Sequence, residues 1–462
     1  MLELCRLRDS MLRKIHFFCL LMLSGSVIAQ TNPGITHWIQ NTTNIKGRHY
    51  VKGNSTPVAD DVLANVQKVQ YSTDWVYVTT TGIPSYITGP FLDGNPSLAQ
   101  NQNAIFKMSL KPVKNSGTPT NTTGGNIGIF INGVALFDYR DGVSWSNAQQ
   151  ALKGGPLMGM GDNVWNRDAV VAERGGFDCA KGHPAMGNYH HHQNPSAFKL
   201  DKKVISNVCD LYAADGLYVI DSSQHAPLLG YAVDGFPIYG AYGFKNVDGT
   251  GELVRMKSSY KLRNIAVRTH YADGSDVVDG PAVNSTYPLG LFREDYEYVA
   301  PAAQQTDYLD EHNGRFCVTP EYPNGIYCYF ATVDAQWNSS YPYVVGPTYY
   351  GVRTASKVTS VTEAVTTYVP QTNGLSQKEV VKVAIYPNPS SDVMVVQIAK
   401  YLSTNVVVEL MDLQGRVMDQ QTVYAGSTMA HFDLRKLYSG DYLVRVNAPN
   451  AVITERVVVL RD

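Results

Sequence analysis

The chain has 462 residues, of which 17% are charged, and its 38 basic and 40 acidic residues leave a net charge of −2. This near-neutral balance disfavours a nucleic-acid-binding protein, which would carry an excess of basic residues. The 30 tyrosines and 39 glycines instead favour a mainly β protein with long ordered loops. A chain of this length predicts two or three domains.

The first 29 residues have the features of a secretory signal peptide. Arg13 and Lys14 precede an apolar run at residues 15–23, and small residues lead to a cleavage pattern after Ala29. The run is shorter than the roughly 18 to 20 apolar residues that a membrane helix needs, and no later segment reaches that length. We therefore predict an exported protein without a transmembrane segment.

Four cysteines follow the signal peptide, and an even number in an exported protein predicts disulfides. Four cysteines allow three connectivities. Closeness along the chain favours Cys179 with Cys209 and Cys317 with Cys328. A thiolate metal site is the alternative, and export disfavours it.

Changes in composition divide the rest of the chain. Residues 30–124 form an N-terminal β flank of the main domain or a separate module, and residues 125–351 are rich in aromatic residues and glycine. Residues 352–382 are rich in Thr, Ser and Val and predict an extended linker. Residues 383–462 contain six or seven short apolar runs between turn signals, the pattern of a small β-sandwich.

The final segment carries three sorting motifs in order, at Tyr386–Pro389, Asp412–Val417 and Leu437–Val446. With these motifs it resembles the type A C-terminal sorting domain of the type IX secretion system. The resemblance implies that the type IX machinery is a partner and that the protein is secreted or held on the outer cell surface, usually after this domain is removed. An ordinary accessory β-sandwich is the alternative.

Three of the 11 histidines are consecutive, at His190, His191 and His192. Alternate residues of a strand point to one face, so His190 and His192 would project together, roughly 7 Å apart, and His191 would face the other way. Two imidazoles so placed can share a metal ion. In an exported protein imidazole ligands suit Zn or Cu.

Three further residues are candidates to complete the metal site. His183 and His225 could supply further ring nitrogens, and Asp234 could bind the metal directly or orient a histidine through its other ring nitrogen. The alternative is structural: the histidines would hydrogen-bond buried backbone and tyrosine groups. Both interpretations stay open at this point.

Two long motifs contain these candidates, Phe177–Pro195 with the consecutive histidines and His225–Gly240 with its Asp-Gly-Phe-Pro-Ile-Tyr-Gly segment. Together they resemble the YHYH domain family, named for a Tyr-His-Tyr-His signature, over roughly residues 125–351. The resemblance implies a β-sheet core and no particular activity. The chain departs from the signature, since His191 replaces the second tyrosine and Gln193 the glycine that usually follows.

A short internal repeat links the histidine segment to a later one. Asp178 and Gly182 are four residues apart, as are Asp310 and Gly314. A Gly-x-Tyr sequence follows each pair, and we interpret the two stretches as copies of one unit, a chance resemblance being the alternative. In the second copy the positions of His190 and His192 are held by Cys328 and Phe330.

The sequence assigns no catalytic residue, since it contains no Gly-x-Ser-x-Gly elbow, His-Glu-x-x-His helix or phosphate-binding loop. A metal with an open position would permit hydrolysis or copper redox chemistry, whereas a closed site would be structural. The alternative class is an extracellular glycan- or protein-binding module. In that case Trp337, Tyr341 and Tyr343 either stack on sugars or belong to the core.

Overall fold

The computed structural model describes residues 31–92, 97–154, 160–196, 216–353, 357–370, 383–398, 405–424, 427–448 and 451–461. The predicted signal peptide and Cys209 lie outside these residues. Within them, no helix combines the length and the apolar character needed to cross a bilayer.

The chain is mainly β, as the sequence predicts. The described helices are short: α1 (Pro33–Thr36), α2 (Ala169–Ala172) and the 3₁₀ turns η1 (Arg174–Gly176) and η2 (Arg293–Asp295). The strands of the first part are β1 (Lys46–Val51), β2 (Asn54–Leu63), β3 (Val66–Tyr71), β4 (Trp75–Thr80), β5 (Ile87–Thr88), β6 (Ala104–Ser109), β7 (Asn126–Phe130), β8 (Ala135–Phe137), β9 (Arg140–Ser146), β10 (Ala151–Gly154), β11 (Asn166–Asp168), β12 (Gly182–Ala185), β13 (Asn188–His191), β14 (Leu228–Ala232) and β15 (Pro237–Tyr239). The later strands are β16 (Tyr242–Phe244), β17 (Leu253–Arg255), β18 (Tyr260–Leu262), β19 (Tyr296–Tyr298), β20 (Gly314–Cys317), β21 (Ile326–Phe330), β22 (Lys357–Val358), β23 (Thr366–Tyr368), β24 (Val383–Tyr386), β25 (Val393–Ile398), β26 (Val406–Met411), β27 (Val417–Val423), β28 (Met429–Asp433), β29 (Gly440–Ala448) and β30 (Ala451–Val459).

An eight-stranded sheet forms the centre, in the order β12-β13-β8-β7-β14-β15-β21-β20. Its two halves repeat one pairing scheme outward from the antiparallel pair of β7 and β14. In the first half β7 pairs antiparallel with β8, β8 runs parallel to β13, and β13 pairs antiparallel with the edge strand β12. In the second half β14, β15, β21 and the edge strand β20 repeat these three pairings in the same order. The central strands are nearly all buried, which explains their continuous apolar sequence rather than an alternating one.

The halves also repeat their side-chain contacts, which confirms the internal repeat. Asp178 accepts a hydrogen bond from the Gly182 amide at 3.0 Å and one from the Tyr189 hydroxyl at 2.9 Å. Asp310 accepts the equivalent bonds from the Gly314 amide at 3.1 Å and the Tyr327 hydroxyl at 2.8 Å. We call each arrangement an aspartate clasp. The clasp ties the start of each edge hairpin to the far strand of the same hairpin.

A second sheet, in the order β22-β6-β4-β3-β23, packs against the first. Burial alternates along β6, so one face of this sheet is apolar, and its Val78 and Phe106 share a hydrophobic core with Ile129 and Tyr329 of the central sheet. The edge strands β22 and β23 come from the segment predicted as a linker. Its threonines and valines have a high propensity for strands and complete the sheet edges.

The C-terminal segment is a two-layered β-sandwich, as predicted. Strands β24, β25 and β28 form one sheet, and β27, β26, β29 and β30 form the other. The two sheets enclose a separate core that includes Val396, Leu410, Phe432 and Val444, each fully buried. Alternating apolar residues along each strand account for this arrangement.

The predicted disulfide between Cys317 and Cys328 is wrong, because both residues are buried free thiols. The strand register pairs Cys317 with Ile326 and Cys328 with Arg315, so the two cysteines are diagonal neighbours. Diagonal neighbours lie farther apart than directly opposite residues, and the two thiols contact each other as a hydrogen-bonded pair without a covalent bond. Cys179 is disulfide-bonded, and its pairing with Cys209 stays a prediction.

Candidate metal centre

The edge hairpin of β12 and β13 brings three histidines together. His183 lies directly opposite His190 in the antiparallel register, and His192 follows two residues later on the same face. The Nε2 atom of His192 is 3.1 Å from that of His190 and 3.3 Å from that of His183. Among the described residues these three form a group in which all ligand atoms lie within 4.8 Å of one another.

The tautomers of two rings follow from their backbone partners. The Nδ1 of His190 lies 2.8 Å from the carbonyl oxygen of Asn188, and that of His192 lies 2.6 Å from the carbonyl oxygen of Asp138. A carbonyl oxygen only accepts, so each Nδ1 carries the hydrogen and each neutral ring turns an Nε2 lone pair inward. Two lone pairs facing each other at 3.1 Å need a cation between them. That cation is either a proton or a metal ion.

The three rings are held in a nearly dry environment. They are 6%, 1% and 4% exposed for His183, His190 and His192, so little solvent screens the cluster. The His190 ring stacks on Phe137 with centroids 3.9 Å apart. Burial, followed by the charges of its two neighbours, lowers the pKa of His190 well below its usual value. His190 is therefore a neutral nitrogen donor at physiological pH.

An acidic side chain, Glu173, lies beside the cluster. Its Oε2 is 3.3 Å from the Nε2 of His183 and 3.5 Å from that of His192. Burial lowers the pKa of His192, but the hydrogen bond and charge of Glu173 outweigh it, and the net pKa is raised. Glu173 therefore favours a proton on His192 when no metal is bound. Glu173 follows α2, whose amides are capped by the buried Asp168.

His191 faces the opposite side of the sheet, as predicted. Its Nε2 lies 2.7 Å from the hydroxyl of Tyr86, and its ring packs edge-on against Phe130 and Tyr189. His191 is therefore part of the packing between the central sheet and the N-terminal region. It does not contact the inward-facing nitrogens of the cluster.

Two predicted ligands lie in the second half of the sheet, outside the cluster of the described residues. Asp234 accepts hydrogen bonds from the Tyr329 hydroxyl at 2.6 Å and the Gly351 amide at 2.9 Å. These bonds tie the turn between β14 and β15 to β21 and to the segment around Gly351. The His225 ring packs on Tyr239, with centroids 5.3 Å apart. His225 and Asp234 belong to a motif of the same family as the histidines, but they lie in the other half of the sheet.

The aromatic residues considered for sugar stacking belong largely to the core. Tyr341 and Tyr343 are 6% and 3% exposed, and Tyr341 stacks against Tyr296. Trp337 is half-buried and donates its indole hydrogen to the Tyr242 hydroxyl at 3.2 Å. These side chains contribute to the packing of the fold.

Sequence reasoning did not find Glu173 or the carbonyl of Asp138. Glu173 stands 17 residues before His190 in an unremarkable short helical stretch, and no spacing rule connects it to a strand. The Asp138 carbonyl reaches the site because β8 runs parallel to β13. Only the weak helix start, an Asp followed by three small or branched apolar residues at 168–171, marks this region in the sequence.

Comparison with known families shows which family the chain belongs to. The family model described as YHYH protein matches residues 105–343, which is more than half of the chain. The chain belongs to that family, and the histidine cluster lies within the matched region. A search of curated proteins found no match.

A second family model, the secretion system C-terminal sorting domain, matches residues 384–460. The protein is therefore directed to the type IX secretion machinery and reaches the cell surface or the extracellular space. Among solved structures, dimeric latent PorU from Porphyromonas gingivalis matches with 26% identity. The match covers 17% of this chain and 9% of that one, with a TM-score of 0.15.

Proposed function

We propose that this secreted protein binds one transition-metal ion, Zn²⁺ or Cu²⁺, through the Nε2 atoms of His183, His190 and His192. The observation that carries the proposal is the pair of inward lone pairs of His190 and His192, 3.1 Å apart. Ligands of one four-coordinate ion with bonds of about 2.0 to 2.1 Å lie about 3.3 Å apart. The separations from the Nε2 of His192, 3.1 Å to that of His190 and 3.3 Å to that of His183, match that value.

The hydrogen bonds around the rings support the same proposal. Metal-ligating histidines usually donate the other ring N–H to a carbonyl or carboxylate, which fixes the tautomer and the ring orientation. His190 and His192 do so through Asn188 and Asp138. A metal-binding role therefore needs little reorganisation of the two rings.

The domain boundaries and the signal peptide stay predictions from the sequence.

Elemental analysis of the purified secreted protein tests this proposal. We expect one Zn²⁺ or Cu²⁺ per chain after loading and dialysis, and none in the double variant His190→Ala, His192→Ala. Binding also stabilises the folded state, by about 2.7 kcal/mol when free metal is 100 times the dissociation constant. Thermal unfolding should therefore shift upward with metal only in the wild type.

His225→Ala is the matched control, because it removes a partly buried imidazole from the other half of the sheet. It should bind metal with wild-type stoichiometry. Substoichiometric metal in the wild type, or equal binding by the double variant and the wild type, would overturn the proposal. In that case a proton on His192 would account for the cluster.

A further inference from the structure

The described acidic groups near the histidines differ in whether they are already paired. The Asp138 carboxylate accepts two hydrogen bonds from Arg140, at 2.7 and 3.1 Å. The Asp168 carboxylate accepts the Tyr343 hydroxyl at 2.7 Å and an α2 amide at 2.8 Å. Glu173 points its Oε2 at the Nε2 atoms of two histidines instead. It is the carboxylate available to a metal ion.

The negative charge of Glu173 would compensate part of the charge of a bound metal ion. Three neutral imidazoles would leave a divalent ion with its full charge of +2 in a site where the rings are at most 6% exposed. A buried charge without a counter-charge is costly. One direct carboxylate ligand reduces the net charge to +1 and adds an oxygen donor that both Zn²⁺ and Cu²⁺ accept.

The distances from the Glu173 carboxylate to the histidine nitrogens are also suitable for direct ligation of the same ion. The separations of 3.3 and 3.5 Å from Glu173 Oε2 to two histidine nitrogens match the spacing of ligands around one four-coordinate ion. Glu173 is not in the group within 4.8 Å that includes His190, so the carboxylate must turn toward that ring on binding. Its side chain is 26% exposed and lies beyond the end of α2, which leaves room for this rotation.

We propose that Glu173 is the fourth protein ligand and closes the metal site, so that the ion is held structurally and takes no exogenous ligand. This inference rests on the proposed metal binding and specifies its kind. Four protein donors around a tetrahedral ion leave no position for water or substrate, which is the property of structural sites. The ion then joins the edge hairpin to the α2–η1 segment.

Cobalt substitution tests this closure in the secreted protein. The wild type loaded with Co²⁺ should show the intense visible absorption of a four-coordinate ion, and added azide should leave the spectrum unchanged. Glu173→Gln should bind Co²⁺ at least about 10- to 100-fold more weakly, since the loss of even an outer-shell partner of a metal ligand has an effect of this size. Its spectrum should shift with azide, because the vacated position is open.

Glu311→Gln is the matched control, since Glu311 lies 3.6 Å from the Nε2 of His312, and within the described residues this pair belongs to no group of three possible metal ligands. It should behave as the wild type in both measurements. Two results would overturn the closure while leaving metal binding intact: an azide-sensitive wild-type spectrum, or wild-type affinity in Glu173→Gln. A wild type that takes up no stoichiometric cobalt would overturn both proposals.

Discussion

The aspartate clasps give a quantitative prediction, because the same contact occurs twice in one chain. In the first clasp Tyr189 is fully buried and donates to Asp178 at 2.9 Å. The substitution Tyr189→Phe keeps the ring and removes only the hydroxyl. Asp178 retains the amide hydrogen bonds of Gly182 at 3.0 Å and of Gly89 at 2.9 Å. The same hydroxyl also bonds to Tyr86, so the change removes the contact with Asp178 together with one to a neutral tyrosine, and only the first depends on the charge of Asp178.

The free-energy cost of losing the hydrogen bond from Tyr189 depends on the charge of Asp178. Burial raises its pKa to about 7, and the tyrosine hydrogen bond partly opposes this rise. Since the folded-state pKa lies above the usual value of aspartate, Asp178 favours folding below its unfolded-state pKa, and that contribution is lost as the pH rises through about 7. At pH 5 the lost bond is to a neutral carboxyl and costs about 0.5 to 1.5 kcal/mol. At pH 8.5 it is to a carboxylate and costs about 1.5 to 3 kcal/mol.

Urea unfolding followed by tryptophan fluorescence measures this cost. All five tryptophans precede residue 351, so the signal reports the part of the chain that contains both clasps and not the sorting domain. We expect the free energy of unfolding of Tyr189→Phe to fall below that of the wild type at both pH values. The difference should be larger at pH 8.5.

The second clasp supplies the control, since Tyr327 donates to Asp310 at 2.8 and 3.0 Å. The cost of Tyr327→Phe should likewise increase with pH, because burial also raises the pKa of Asp310. A Tyr189→Phe cost that does not grow with pH would refute the reasoning about the charge of Asp178. A cost at only one of the two tyrosines would refute the equivalence of the clasps.

Three further predictions test other parts of the fold. Gly182→Ala should lower the melting temperature strongly, because a Cβ there would overlap the Tyr189 ring. Arg268→Ala should cost about 3 to 5 kcal/mol in chemical unfolding, because it leaves the fully buried Asp295 without its ion-pair partner at 2.7 Å. Asp234→Asn should leave zinc stoichiometry and affinity unchanged in calorimetry, whereas a loss of affinity would return that residue to the site.

The sequence predicted the sheet class, the sorting domain and the paired histidines well, for local reasons. Strand alternation correctly placed His190 and His192 on one face and His191 on the other, because the side-chain period of a strand is 2. The spacing of Asp178 and Gly182 also revealed the repeat, since a hairpin start held by its own chain leaves a local signature. These features depend on neighbouring residues only.

The remaining features depend on contacts between distant segments, which local patterns do not encode. Glu173 reaches the histidines because α2 packs beside the edge hairpin, and the linker segment forms strands because the N-terminal sheet leaves two edges open. Cys317 and Cys328 are close in sequence, but the strand register makes them diagonal rather than opposite. Register is set by the whole sheet, so spacing alone gave the wrong disulfide.

The position of a bound ion tests the central proposal most directly. A crystal of the zinc-loaded protein, measured at the zinc absorption edge, should show one anomalous peak about 2.0 to 2.1 Å from the Nε2 atoms of His183, His190 and His192. Absence of a peak between these three atoms, with zinc bound elsewhere or not at all, would contradict the account.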